Sequence, residues 1–139
     1  MYSKILVPVD LAHTDKLAKA LNTAIDIARH YKATLHYVTV TNRTPSSAAH
    51  NTRELEQELH RFAEEQGQDH GVDTTSSLIE TPDTAVELEK RLVQAIEETG
   101  ADLIVMASHT PGIGDKLHFI RSNAANLVKD TDISVFVVR

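Results

Sequence analysis

Cysteine is absent from this chain. That excludes disulfides, thiolate nucleophiles, and zinc or iron–sulfur centres built on cysteine ligands, and it suits a reducing compartment. Aromatic residues make up only 4% of the sequence, so a core must be assembled from Leu, Ile, Val and Ala. No apolar run approaches the roughly 20 residues needed to cross a bilayer. The opening stretch "MYSKILVPVD" has no apolar signal core long enough for export, so a cytosolic location is expected. Positive charge is in deficit, with 14 Lys and Arg against 20 Asp and Glu, a formal net charge of -6. An acidic chain argues against general nucleic-acid binding, because phosphate backbones are held by basic surfaces. Internal repeats and low-complexity tracts are also missing.

What remains is a 139-residue chain, long enough for one domain, residues 1–139, with a sizeable aliphatic core. "KILVPV" (4–9) has the length and β-branched content of a buried strand. In the stretch that follows, Leu17, Leu21, Ala24 and Ala28 recur at helical spacing, and Thr14 or Asp15 is a candidate cap. "TLHYVTV" (34–40) is strand-like, with Leu35, Tyr37 and Thr39 on one face and His36, Val38 and Val40 on the other. A polar connector (41–50) leads to a helix with the stripe Leu55, Leu59 and Phe62, which Gly67 or Gly71 would end. "VDTTSSLIE" (72–80) reads as a polar strand near a sheet edge. Ala85, Leu88, Leu92 and Ile96 line a third helix ending at Gly100. "DLIVMA" is the most apolar strand, "SNAANLVKD" a short helix, and "ISVFVVR" a last strand.

Strands that alternate with helices must be joined by crossovers, so the pattern predicts an α/β fold with a parallel sheet covered on both faces. Right-handed crossovers make a doubly wound open sheet the natural solution, with a ligand crevice at the carboxyl ends of the strands. The "VPVD" and "MASH" strand ends are the candidates.

Beyond "MASH" lies "TPGIGDKLHFIRSN", which holds two of the five glycines, with Lys116, His118 and Arg121 just ahead of Ser122 and Asn123. Unpaired N–H groups and the dipole at a helix start favour an anion, so this loop is a candidate phosphate site. The alternative is that Ser122 is an ordinary N-cap, worth about 1 kcal/mol, beside solvated cations. Asp10 has two readings as well: a ligand for a ribose hydroxyl or a magnesium ion, or a turn cap. The eight histidines include no H-x-x-x-H pair, which counts against a metal centre. Ser108 and His109 are adjacent and point oppositely on a strand end, so they do not form a nucleophile–base pair. No paired acid/base constellation is visible.

"KILVPVD", "ADLIVMASH" and "SNAANLVKDTDISVFVVR" together make the whole chain resemble the universal stress proteins, especially the small ATP-binding enterobacterial type. The resemblance implies a Rossmann-like five-stranded parallel sheet of order 3-2-1-4-5. It also implies a homodimer paired through the last strand, Ser134 to Val138, and stress-response regulation through ATP or AMP, with or without Mg2+. An apolar edge strand that must be covered agrees with such pairing. By resemblance, adenosine would sit over Pro8, Val9 and Asp10, against Val38 and near Ala107, Ser108 and His109, with Ser122, Asn123 and Ala124 facing the phosphates.

Nucleotide-binding members carry Gly, two residues, Gly, nine residues, Gly, then Ser or Thr. This chain places Ala107, Thr110 and Arg121 where those glycines stand, with Ser122 as the closing hydroxyl and one extra residue between. Glycine lets backbone approach phosphate. Arg121 either occludes that space or binds phosphate itself, and Gly112 and Gly114 can supply a displaced cradle. Three functions follow: a nucleotide-binding regulator, a stress protein that has lost the ligand and acts through protein partners, and a slow ATP hydrolase using Asp10. The missing general base counts against the last.

Overall fold

In the computed structural model, residues 1–42, 48–81, 85–108 and 128–139 are described. Five strands, β1 (Lys4–Pro8), β2 (Thr34–Asn42), β3 (Thr74–Thr81), β4 (Leu103–Ala107) and β5 (Ser134–Val138), form one sheet of order β3-β2-β1-β4-β5. Every neighbouring pair is parallel. Helices α1 (Ala18–Tyr31), α2 (Ala48–His70) and α3 (Ala85–Thr99) supply the crossovers. This is the doubly wound α/β arrangement expected from the alternation of apolar runs. Residues 128–130 are helical and lead into β5, but the rest of the expected fourth helix, 122–127, lies outside the described residues.

Strand alternation divides the core into two layers. Ile5 and Val7 of β1, Val9 just after it, Leu35 and Tyr37 of β2, and Leu103 and Val105 of β4 pack with Leu21, Ala24, Ile25 and Ala28 of α1 and Leu59 and Ala63 of α2. The opposite face joins Leu6, Val38, Ile79, Ile104 and Met106 to Leu92 and Ile96 of α3 and to Ile133. β1 and β4 therefore contribute to both layers, which is why they read as continuous apolar runs. β3 is polar because it is an edge.

Helix boundaries carry the main corrections. Neither Thr14 nor Asp15 caps α1: its N-cap is Leu17, without a side-chain bond. Asp10 opens a single 3-10 turn at Leu11–His13 instead, and a series of tight backbone bonds follows it. Lys16 N–H donates to His13 O, Leu17 N–H to Thr14 O and Ala18 N–H to Asp15 O, so the amides leading into the helix are paired before it begins. At the other end of α2, Gly71 adopts a φ of 66° and is the terminator, whereas Gly67 lies inside the helix. α2 also starts at Ala48, within the stretch expected to be a connector, where two alanines favour helix.

The amino ends of the strands are fastened by Asp102. Its carboxylate accepts from Ser3 N–H at 2.9 Å, Ser3 Oγ–H at 3.0 Å and Lys4 N–H at 3.1 Å. Its backbone N–H donates to Lys4 O and its carbonyl accepts from Ser134 N–H. One residue thus joins the amino ends of β1, β4 and β5.

Candidate functional site

Strand order reverses between β1 and β4. From β1 the chain winds outward to β2 and β3, then returns to β4 on the other flank and continues to β5. At such a reversal, connections leave neighbouring strands in opposite directions, and the ligand crevice of open α/β sheets lies outside the carboxyl ends. Pro8, Val9 and Asp10 stand at the carboxyl end of β1, and Ala107 and Ser108 at that of β4.

Pro8 is buried and pairs in register with Val38. A proline is tolerated here because it is the last residue of its strand, and the ladder resumes with Val9 N–H donating to Val38 O at 2.8 Å. Val9 and Val38 are both 0% exposed. Val9 belongs to the α1–α2 layer and Val38 to the α3 layer. Ala107 is half-buried against the α1–α2 layer. Ser108 is half-buried, and its N–H donates to Val138 O at 2.8 Å, extending the β4–β5 ladder by one residue.

Asp10 is a cap in this structure. Oδ1 accepts from Ala12 N–H at 3.0 Å, and Oδ2 lies 2.9 Å from His13 Nδ1. Imidazole in that position donates Nδ1–H to the carboxylate, which fixes its tautomer. Sequence reading missed His13; the signal that would have found it is the D-x-x-H spacing at the start of a turn. The remaining candidates, His109, Thr110, Arg121, Ser122, Asn123 and Ala124, lie outside the described residues, as do Gly112, Gly114, Lys116 and His118.

Among the described residues, the groups with displaced protonation equilibria are elsewhere. Burial, with a smaller contribution from Lys4, holds His36 down to about 4. Burial pushes the Tyr37 phenol up. Burial also pushes the Asp102 carboxyl up, but the bonds from Ser3 and Lys4 outweigh it and leave the group below the usual carboxylate range. No three His, Cys, Asp or Glu among the described residues come together to hold a metal ion. Magnesium needs only one or two carboxylates when substrate phosphates complete its shell, but both Asp10 oxygens are already engaged, by Ala12 N–H and by His13. No helix among the described residues is long and apolar enough to cross a membrane.

Solved structures share this architecture along nearly the whole chain. A universal stress family protein from Burkholderia pseudomallei is 27% identical with a TM-score of 0.65, covering 99% of this chain and 96% of that one. A universal stress protein from Archaeoglobus fulgidus in complex with dAMP is 16% identical, with a TM-score of 0.68 and coverage of 99% and 98%. Another universal stress protein, in complex with cAMP, is 19% identical with a TM-score of 0.67, covering 99% and 97%. None of the curated protein sequences matches the chain. The profile of the universal stress protein family matches residues 1–139, and the chain belongs to that family.

Proposed function

We propose that this domain, residues 1–139, is a stress-response regulator that binds an adenine nucleotide, ATP or AMP, at the carboxyl ends of β1 and β4. The observation that carries this reading is the strand-order reversal between β1 and β4, the place where open α/β sheets bind ligands. The cAMP and dAMP complexes of structurally similar proteins support the ligand class. In this reading Pro8, Val9 and Val38 floor the site. Asp10, Ala107, Ser108 and His109 flank the nucleoside, and Thr110, Arg121, Ser122, Asn123 and Ala124 meet the phosphates, with Mg2+ as a counter-ion. The protein works in the cytoplasm as a homodimer paired along β5. Phe136 and Val137, 46% and 43% exposed on that edge, support the pairing.

Isothermal titration with ATP, AMP and magnesium tests the reading. A ligand that binds only the folded state must also raise the melting temperature. Arg121→Gly then separates two roles: binding that strengthens identifies an obstruction, and binding that vanishes identifies a phosphate ligand.

One observation favours a second reading, a universal stress protein that has lost the nucleotide and acts through protein partners. Both Asp10 oxygens are already engaged, by Ala12 N–H and by His13. An unchanged melting temperature at millimolar ATP selects it. Multiple-turnover phosphate release, abolished in Asp10→Asn, would instead establish a hydrolase.

A further inference from the structure

His36 is 6% exposed in the middle of β2, on the face covered by α3. Its Nδ1 lies 2.6 Å from Thr75 Oγ1 and its Nε2 lies 2.8 Å from Ser77 Oγ. Both hydroxyls belong to β3, which is an edge strand bonded only to β2. The imidazole thus spans two successive same-face positions of the neighbouring strand, beneath a layer that leaves Thr75 exposed and Ser77 half-exposed.

A neutral ring satisfies this arrangement with one nitrogen donating and the other accepting. A protonated ring donates from both, and hydroxyls can rotate to accept both bonds. Protonation therefore does not break the cluster by depriving it of partners. It is opposed by burial of the charge and, to a smaller degree, by Lys4 on β1, which together hold His36 at about 4. Among the described residues no carboxylate offsets them. Asp73 is exposed ahead of β3, and α3, which packs through Leu92 and Ile96, keeps Lys90, Arg91, Glu97 and Glu98 exposed.

We propose that His36, Thr75 and Ser77 form a proton-operated latch, which holds β3 on the sheet when the imidazole is neutral and releases that edge when it is charged. β3 is an edge strand, held on one side only. Ile79 is its only fully buried described residue, whereas Leu103, Ile104, Val105 and Met106 of β4 are all buried. The folded-state value is lowered, so the stability conferred by neutral His36 is whole above the ordinary histidine value. It declines as pH falls from there towards the folded value. With an ordinary value of 6.5 and a latched value of about 4, the opening equilibrium rises about tenfold to thirtyfold between pH 7.5 and pH 5.

Hydrogen–deuterium exchange on the full chain at those two pH values, corrected for intrinsic rates, tests the latch. The expected result is a tenfold or larger rise in opening for residues 74–81, little change for 103–107, and no such rise in His36→Gln. Equal rises in both segments, the same rise in His36→Gln, or no rise in the wild type would each overturn it. Should His36→Gln fail to fold, the imidazole titration of the wild type, followed by NMR, decides. A midpoint near 4 supports the latch, and a midpoint at the ordinary 6.5 refutes it.

Discussion

Asp102 is half-exposed, yet it ties the first residues of β1 to β4 through bonds from two backbone amides and one hydroxyl. Asp102→Ala should therefore cost about 1–3 kcal/mol in urea denaturation at pH 7, the range for orphaning such groups, with solvent access favouring the lower end. The sign of its pH dependence follows from a folded-state value held below normal. The stabilisation is complete above the unfolded carboxylate value of about 3.9 and disappears as pH falls through the folded one. The gap between wild type and variant should thus close only in strong acid. Tyr37 presents the opposite case. Its ring is 0% exposed and meets Phe62 edge-on at 5.1 Å, but its hydroxyl has no hydrogen-bond partner among the described residues. Tyr37→Phe keeps the ring contact and removes an unpaired polar atom. It should be neutral or stabilising by about 1 kcal/mol, measured by the same titration.

Among the elements, α2 approaches the start of β3 closely at Gly67. A Cβ built on Gly67 would stand 2.9 Å from Val72 O and 3.0 Å from Thr74 Oγ1. The Thr74 hydroxyl already donates to Ala63 O at 2.7 Å, so it has little freedom to retreat. Gly67→Ala should destabilise by about 1–3 kcal/mol despite alanine's better helix propensity, with a lowered denaturation midpoint as the check. Sequence reading offered Gly67 as a terminator because a glycine at a helix end is usually there for its φ; here its missing side chain matters instead. Strands were easier to read. The β1 and β4 runs are apolar because both faces are covered, and the alternation in β2 assigned Leu35 and Tyr37 to one layer and Val38 to the other, as found. Capping was harder, because Asp10 satisfies a 3-10 turn whose presence no apolar period announces. Part of the candidate site was legible for the same reason as the strands, since Pro8–Asp10 and Ala107–Ser108 mark where apolar runs stop. His13 was not, because its role comes from a turn that returns its ring to Asp10.

At the scale of the molecule, the sheet's two borders differ in character. On β5, Phe136 pairs in register with Val105 and Val137 with Met106, strand neighbours that belong to opposite core layers. The exposed apolar side chains therefore lie on both faces of that border. Phe136→Asp should convert the proposed dimer to a monomer with the fold intact, read by sedimentation and circular dichroism. Unchanged mass would show that β5 is not the pairing edge. Along β3 the exposed positions are polar, and Thr74, Thr75, Ser76 and Ser77 leave nothing oily to share. Association along β5 would use up the one adhesive rim of each copy and turn the two hydroxyl-lined rims outward. Growth along the sheet would then lack an apolar driving force beyond the pair, because among the described residues the outward rims carry hydroxyls.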